Sequence, residues 1–280
     1  MNGVILINKE KNKTSRDIVN EISRIFNTKK VGHTGTLDPI ATGVLVVTIG
    51  RYTKLNDIIM STYKEYIAEF KLGILTDTLD STGNILKEKD TKIDEKSIEK
   101  AIMNFKGEYL QTVPIYSSVK VNGKKLYEYA RNNIDVELPK RLVDIKKIEV
   151  LSIKDDYVKI RTLVSKGTYI RSLIRDIGEH LNTYATMTSL IRTKQGKFNI
   201  EDCFEISDVK NNNYKLLKIE ELIEVFVVDM DDELYFKIKN GVKIQKNYNR
   251  EFILFKYQGK EISVYKKEVD FYRNFLSIDV

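Results

Sequence analysis

The sequence predicts a mixed fold of strands and helices with a small β-rich appendage at its C-terminal end. An apolar run at residues 3–8 predicts a strand, and it is followed by apolar residues at helical spacing, namely Ile18, Val19, Ile22, Ile25 and Phe26. Apolar and polar side chains mostly alternate over residues 66–72, which is typical of a strand with one buried face. Short β-like runs follow Asp229, so we predict a large domain at 1–228 and a small one at 229–280.

Local signals place the other elements along the chain. Thr14 or Ser15 caps the first helix, Asp94 begins another, and Thr168 can cap a third. The remaining predictions are strands at residues 143–153, 157–164 and 185–193, an acidic helical stretch at 201–224, and β-like runs at 234–238, 252–257 and 261–265.

Composition narrows the class of protein. The chain has 280 residues, a formal net charge of +7, 16 tyrosines and 11 phenylalanines. Basic charge with aromatic side chains suits RNA or DNA, because cations attract phosphates while rings stack on bases. A soluble, lysine-rich protein without such a partner is the alternative.

The chain has few of the side chains that usually form disulfides or bind zinc. One cysteine, Cys203, cannot form an intramolecular disulfide, and with only two histidines no zinc site of the usual type can be assembled. The first apolar run is too short for a signal peptide, and no stretch reaches the length of a membrane span. We therefore expect a cytoplasmic protein without a zinc site of the usual Cys/His type.

The densest signal in the chain is the loop at residues 32–43, GHTGTLDPIATG, which presents Asp38 at the start of an apolar strand. It lacks the Gly-Lys-Ser/Thr of a phosphate-binding loop and the GxGxxG spacing of dinucleotide folds. From spacing alone, ordinary Asp-Pro turn chemistry is the leading interpretation, and a functional carboxylate is the alternative.

Two further stretches suggest contact with a polyanion. Residues 113–138 contain an Asn122-Gly123 hairpin signal among lysines and tyrosines, which fits either an RNA-contacting arm or a solvated hairpin. Arg171 is predicted in the first turn of a helix, where it opposes the helix dipole. A partner anion would offset that cost, although a surface arginine is also possible.

Taken together, five motifs in order resemble the TruB family of bacterial tRNA pseudouridine-55 synthases. They are GVILINK, GHTGTLDPIATGVL, KEYIAEFKLGILTDTLDSTG, VKVNGKKLYEYAR and SKGTYIRSLIRDIG. The resemblance implies an α+β pseudouridine synthase fold with a central antiparallel sheet and a small PUA-like RNA-binding module. It also implies that a uridine in the T loop of tRNA is flipped out, detached from its ribose at N1 and rejoined through C5, without a metal or cofactor.

The resemblance assigns four residues to the chemistry. Asp38 matches the catalytic aspartate, which attacks the ribose or removes a proton from it, and the sequence does not choose between these routes. Tyr66 matches the tyrosine that packs on the target base and is a candidate base for the C5 proton. Arg171 matches the arginine that pairs with Asp38, and Asp80 matches a second carboxylate that braces this arginine.

The other matching positions concern RNA. His33 resembles the residue that fills the stack vacated by the flipped base, while Tyr169 and Leu190 resemble residues of the base pocket. Leu190 alone would be interpreted as core. Basic positions near the RNA are matched by Lys9, Lys54 and Lys64. The chain departs from the family at Glu10, where a proline is usual.

The sequence is compatible with three functions. The resemblance favours a stand-alone, monomeric enzyme that acts on the T arm of tRNA without an obligatory protein partner. An RNA-guided pseudouridine synthase would share Asp38, but the arm at residues 113–138 argues against it. A non-catalytic tRNA-folding chaperone is the third, and the joint presence of Asp38, Tyr66 and Arg171 favours an enzyme instead.

Overall fold

In a computed structural model, residues 1–245 and 248–279 are described. The first elements are β1 (Gly3–Lys9), α1 (Ser15–Ile25), β2 (Val31–His33), β3 (Thr42–Ile49), α2 (Asn56–Met60), β4 (Lys64–Leu72), β5 (Ile74–Thr76) and β6 (Ile85–Glu88). The middle elements are α3 (Glu95–Met103), β7 (Gly107–Thr112), β8 (Lys120–Val121), β9 (Lys124–Lys125), α4 (Leu126–Arg131), β10 (Lys140–Lys154), β11 (Tyr157–Val164), α5 (Ile170–His180) and β12 (Ala185–Gln195). The last elements are β13 (Phe198–Asn199), α6 (Ile206–Lys210), α7 (Ile219–Leu222), β14 (Phe226–Asp229), α8 (Asp232–Lys239), β15 (Phe252–Tyr257), β16 (Lys260–Lys267) and β17 (Tyr272–Ser277). Two 3₁₀ helices lie at Gly50–Leu55 and Ile200–Asp202.

A nine-stranded sheet forms the centre of the molecule, in the order β1-β3-β12-β4-β11-β10-β7, with β2 on β3 and β13 on β12. The predicted α+β fold with a central sheet is confirmed. Its pairs are antiparallel except β3 with β12, which run parallel over the pairs Ile191–Thr42 and Arg192–Gly43. Gly43 has a φ of +100°, and a Cβ there would lie 2.3 Å from the Arg192 carbonyl oxygen. This close approach requires glycine.

Helices cover one face of the sheet and bury the larger core. Ile18 and Ile22 of α1, Ile98 of α3 and Leu173 of α5 join the inward residues of the strands in one apolar cluster. The alternation in β4 is confirmed, since Tyr66, Ala68, Phe70 and Leu72 are all buried. These contacts bring the start of α5 to the sheet near β4.

The C-terminal residues form a second sheet of four strands, β14-β15-β16-β17. It packs on the opposite face of the central sheet from the helices, where Val44 and Val46 of β3 share an apolar cluster with Leu254 and Val264. The predicted boundary between residues 228 and 229 falls within β14, which pairs with β15.

Several local predictions are confirmed and some are wrong. Thr14 and Asp94 cap their helices, and Asn122 and Gly123 form the hairpin turn with positive φ values. The β-like run predicted at 234–238 is wrong because it belongs to α8, which Asp231 caps. The acidic stretch at 201–224 forms only α6, α7 and a 3₁₀ turn.

Candidate active site

The loop between β2 and β3 holds Asp38 in a fixed position through contacts with the segment before and at the start of α1. The Leu37 amide donates to the Ser15 hydroxyl at 2.8 Å, and this hydroxyl donates to the Leu37 carbonyl at 3.2 Å. The Asn12 amide donates to the Pro39 carbonyl at 2.8 Å. Because both residues that flank Asp38 are held, its side chain projects from a constrained backbone.

Asp38 forms a bidentate ion pair with Arg171. The arginine Nε lies 2.9 Å from one carboxylate oxygen, and one terminal nitrogen lies 3.0 Å from the other. The same guanidinium donates to the carbonyls of Thr78 at 2.9 Å and Tyr116 at 3.0 Å. Arg171 is therefore held from several sides, while the Asp38 side chain remains 30% exposed and open to a ligand.

Asp80 supports Arg171 indirectly. One oxygen of its carboxylate accepts hydrogen bonds from the hydroxyl of Thr78 at 2.9 Å and the amide of Thr82 at 3.0 Å. These bonds shape the turn that presents the Thr78 carbonyl to Arg171. Within the described residues, no direct hydrogen bond or ion pair joins Asp80 to Arg171, so the bracing suggested from sequence runs through the turn.

A cavity of about 340 Å³ opens beside this ion pair, and we refer to it as the Asp38 cavity. The predicted site residues that line it are Asp38, Lys64, Tyr66, Tyr169, Arg171 and Leu190. Other lining residues include Ser117, Tyr127, Lys166 and Arg192. His33, Asp80, Lys9 and Lys54, which were also predicted as site residues, lie outside its wall.

Tyr66 and Leu190 reach the cavity from neighbouring strands. Tyr66 of β4 is 7% exposed, and Leu190 of β12 is 5% exposed. Both belong to the large apolar cluster, and both have part of their surface on the cavity. An aromatic ring and an aliphatic side chain there form an apolar wall of the kind that a flat base could pack against.

Tyr169 enters the cavity from the residue before α5. The Tyr169 amide donates to the Gln111 side-chain oxygen at 2.8 Å, and its carbonyl accepts from the Gln111 nitrogen at 3.2 Å. Tyr169 is the N-cap of the helix, without a side-chain cap. The predicted cap at Thr168 is therefore wrong, because that hydroxyl donates to the Ser165 carbonyl at 2.9 Å instead.

His33 ends β2 and is partly buried near the loop. Its Nδ1 accepts a hydrogen bond from the Gly35 amide at 3.3 Å. Burial, together with the charges of Arg192 and Arg16, lowers the pKa of His33 below its ordinary value of 6.5. At neutral pH the imidazole is therefore uncharged, a form that suits stacking against a base.

The predicted basic residues differ in exposure. Lys9 is fully buried, and its ammonium donates to the carbonyls of Lys13 at 2.6 Å, Glu10 at 2.9 Å and Pro39 at 3.4 Å. In this structure it supports the loop and does not face solvent. Glu10 forms an ion pair with Lys13 at 2.7 Å.

Lys64 and Lys54 lie in different surroundings. Lys64 is 7% exposed and donates to the carbonyls of Met60 at 2.9 Å and Thr62 at 3.0 Å. Burial, with smaller contributions from Arg192 and Lys166, lowers the pKa of Lys64 to about 8. Lys54 is exposed near the end of the 3₁₀ helix at Gly50–Leu55.

The arm carries aromatic and basic groups to the edge of the cavity. Tyr127 of α4 lines the cavity, and its ring lies 5.4 Å from the ammonium of Lys125 and 5.3 Å from the guanidinium of Arg131. These are cation–π distances. The arrangement fits the predicted RNA-contacting arm, whose role remains a prediction.

Arg192 was not predicted as a site residue, although it lines the Asp38 cavity and is only 1% exposed. A sequence signal existed, since it lies two positions after Leu190 in a predicted strand. Residues spaced by two share a strand face, so Leu190 and Arg192 point the same way. An arginine at a strand position that faces the core is unusual, and this position indicates a buried guanidinium with a specific role.

Neither a metal site nor a membrane span is found in the parts of the chain that the structure describes. Residues 1–245 and 248–279 contain no group of three or more His, Cys, Asp or Glu side chains that could hold a metal ion. Over the same residues, no helix is both long and apolar enough to cross a membrane.

Two family models match consecutive parts of the chain. Residues 23–170 match the model of the TruB family pseudouridylate synthase N-terminal domain. Residues 171–234 match the model of the tRNA pseudouridylate synthase B C-terminal domain. Most of the predicted small domain lies beyond both matches.

Curated relatives named tRNA pseudouridine synthase B match nearly the whole chain. The relative from Clostridium tetani is 45% identical over 249 residues, which are 88% of this chain and 86% of the relative. The relative from Staphylococcus saprophyticus is 43% identical and covers 90% of this chain and 87% of its own. The relative from Mesoplasma florum is 38% identical, with 95% and 94% covered.

Solved structures share the fold. A chain from an H/ACA RNP bound to a substrate RNA containing 2′-deoxyuridine has a TM-score of 0.69 and 23% identity, and the match covers 99% of this chain and 85% of that one. A chain from a Cbf5-Nop10-Gar1 complex has a TM-score of 0.68 and 24% identity, with 99% and 83% covered. Identities this low carry information about fold alone.

Proposed function

The chain belongs to the TruB family of pseudouridylate synthases, and from this premise we propose that it converts a uridine in the T loop of tRNA to pseudouridine. The observation that carries the proposal is the bidentate Asp38–Arg171 pair on the wall of the Asp38 cavity, with Tyr66 in the same wall. A carboxylate held by a buried arginine, but still open to a ligand, is suited to chemistry at a ribose.

Asp38 performs the first step. Arg171 orients both carboxylate oxygens, and the exposed remainder of Asp38 either attacks the ribose at C1′ or removes its C2′ proton. In both routes the bond between C1′ and N1 breaks, and the uracil leaves with the bonding electrons. The freed base then turns within the cavity and bonds to C1′ through C5. In the first route this displaces the Asp38 carboxylate from C1′, and in the second Asp38 returns the proton to C2′.

The cavity wall retains the detached base during this step. Tyr66 packs on one face of the uracil, and Leu190 and Tyr169 restrict its movement. Retention matters because a uracil lost to solvent would leave a cleaved nucleoside. The buried Arg171 also excludes water from one side of Asp38, which limits hydrolysis.

RNA reaches the cavity by base flipping, since a uridine stacked in a folded loop cannot contact Asp38. The neutral imidazole of His33, on the strand that leads into the loop, fills the vacated stack. Lys54 and the arm at residues 113–138 bind the T arm, which agrees with the formal charge of +7. The second sheet serves as a PUA-like RNA-binding module, for which we retain the division at 228/229.

We further propose that the protein acts in the cytoplasm, as a monomer, without an obligatory protein partner, metal or cofactor. The arm beside the cavity supports this, because its Tyr127, Lys125 and Arg131 offer RNA contacts within the same chain. A guided synthase would instead position its substrate through a separate RNA. A chaperone would have no need for a carboxylate paired with arginine in a cavity.

Release of tritium from C5 of uridine in a tRNA transcript tests the proposal. Wild type should release tritium, while Asp38→Asn should reduce the rate by at least about 10³-fold, since the nucleophile or base is lost. Asp155→Asn is the matched control, because Asp155 is exposed in a turn and its φ of 52° is one that asparagine tolerates.

The outcomes separate the candidate functions. Equal tritium release by wild type and Asp38→Asn would exclude the catalytic assignment of Asp38. Binding of tRNA without release by wild type would indicate a chaperone. Release that begins only when a guide RNA is added would indicate a guided enzyme.

A further inference from the structure

Arg192 joins three parts of the site from a buried position. It lies in β12 directly opposite Tyr66 of β4, and its side chain is almost inaccessible to solvent. Its Nε donates to the Val44 carbonyl at 2.7 Å, and one terminal nitrogen donates to the Gly35 carbonyl at 3.0 Å. The other terminal nitrogen lies 3.5 Å from the Tyr66 hydroxyl. One guanidinium thus holds the Asp38 loop, the start of β3 and the aromatic wall of the cavity.

Arg192 differs from Arg171 in having no carboxylate partner. Across residues 1–245 and 248–279, no aspartate or glutamate lies within ion-pair distance of the Arg192 guanidinium. A buried cation without an anion is costly, because the protein interior screens charge poorly. Such a charge therefore stabilises any negative charge that develops beside it.

The group best placed to become negative is the Tyr66 hydroxyl. At 3.5 Å its contact with Arg192 is at the outer limit of a hydrogen bond. A phenolate would accept a shorter, charge-assisted bond from the same nitrogen. Lys64 lies on the same face of β4, but its ammonium is directed to the Met60 and Thr62 carbonyls. Arg192 is thus the cation directed at this hydroxyl.

We propose that Arg192 is a positioning residue for Tyr66, whose positive charge favours the phenolate that removes the C5 proton in the last step. This inference rests on the proposed function. After C5 has bonded to C1′, the C5–H bond still has to break. The Tyr66 phenolate takes that proton, the C–H electron pair forms the C5–C6 double bond, and the π electrons of the N1=C6 double bond move to N1, which gains a proton from water.

An isotope label at C5 and a 5-fluorouridine substitution separate the loss of the C5 proton from glycosidic cleavage and rejoining. Tritium or deuterium at C5 reports the loss of the C5 hydrogen. A 5-fluorouridine transcript cannot lose a proton from C5, so its conversion reports glycosidic cleavage and rejoining alone. We compare wild type, Arg192→Gln and Arg192→Lys, with Arg161→Gln as the control, because Arg161 is an exposed arginine on β11 paired with Glu149.

Arg192→Gln should slow C5 hydrogen release by about 10²-fold, the scale of a general-base contribution. A primary deuterium isotope effect at C5 should emerge, while tRNA affinity and conversion of 5-fluorouridine RNA stay near wild type. Arg192→Lys retains a charge and should lose less. Arg161→Gln should behave as wild type in every measurement.

Equal slowing on both RNAs would overturn the inference and leave Arg192 as a clamp for the Asp38 loop. A loss of affinity alone would make it an RNA contact, and unchanged release of C5 hydrogen would exclude a role. If Arg192→Gln does not fold, Arg192→Lys decides by the same criterion, namely selective slowing at C5. Failure of wild type to release tritium would instead refute the proposed function.

Discussion

Two partly buried carboxylates accept hydrogen bonds in very different settings. Asp38 pairs with Arg171 beside a cavity, and its side chain remains 30% exposed. Glu261 accepts from the Tyr52 hydroxyl with one oxygen and from the Ile219 amide at 3.1 Å with the other, and Tyr52 is fully buried. The contact between Glu261 and Tyr52 links the C-terminal sheet to the 3₁₀ helix after β3. The Asp38 carboxylate is open to a ligand, whereas both oxygens of Glu261 are occupied by contacts with the 3₁₀ helix and α7.

The comparison shows that a strong hydrogen-bonding partner alone does not identify a functional carboxylate. Burial and Glu261 both raise the pKa of Tyr52 well above its ordinary value of 10, so this contact stays a closed, neutral-phenol hydrogen bond. The Asp38 pair has an exposed side and a cavity next to it. Access of a ligand to the carboxylate, and not only the group that the carboxylate contacts, distinguishes the site at Asp38 from the structural contact at Glu261.

Arg171→Ala should produce the largest effect, because it removes the partner of the open carboxylate. We expect turnover to fall by about 10³-fold, since Asp38 loses both its orientation and its countercharge. Affinity for tRNA should change far less. Single-turnover rates and filter binding measure the two quantities, with Arg161→Ala as a control for loss of an exposed arginine. A variant that weakened binding alone would contradict the pairing as a catalytic feature.

Lys9→Met tests the support beneath the Asp38 loop through its pH dependence. Burial lowers the pKa of Lys9 to about 8 from 10.5, although Asp38 opposes this shift. Between these values the folded protein binds fewer protons at Lys9 than the unfolded chain, so the free energy of unfolding rises with pH.

Wild type should therefore gain stability relative to Lys9→Met from pH 8 to 10.5, by up to about 3 kcal/mol. Urea unfolding at several pH values measures this difference. Lys54→Met is the control, because Lys54 is exposed and the same change there removes no buried ammonium. A difference independent of pH would show that Lys9 contributes through packing alone.

Tyr52→Phe should remove the hydrogen bond between Tyr52 and Glu261 without affecting catalysis at Asp38. One Glu261 oxygen loses its donor, so we expect the free energy of unfolding to fall by about 1–2 kcal/mol. Turnover at the Asp38 cavity should not change. Tyr63→Phe is the matched control, because its hydroxyl donates to Asp144 at 2.8 Å in an exposed position. Lower turnover in a fully folded Tyr52→Phe would mean that the two regions are coupled.

Sequence reasoning succeeded where neighbouring residues decide the structure. The cap at Asp94 and the Asn122-Gly123 turn depend on side-chain and backbone preferences within a few residues. It failed at 234–238, where an aromatic and apolar run suggested a strand. The cap at Asp231, whose side chain accepts from the Leu234 amide at 2.8 Å, outweighed that preference and began a helix.

The site was predictable only in part for the same reason. The resemblance pointed to Asp38, Tyr66, Tyr169 and Arg171, and the fold brings all of them to the Asp38 cavity. Their catalytic and binding roles stay predictions. Arg192 was not predicted, because its spacing from Leu190 indicates only that it shares a strand face with that residue and not which distant groups surround its guanidinium.

From its residues alone, the chain specifies the shaped loop that carries Asp38, the alternation of β4 and the helix that begins near Arg171. These follow from backbone sterics and the periods of strand and helix. Asp38 and Arg171 are 133 positions apart, and their contact depends on the order of strands in the central sheet. The burial of Lys9, the indirect support from Asp80 and the position of Arg192 likewise follow from packing between distant segments, because no local period encodes which distant residue will be the neighbour.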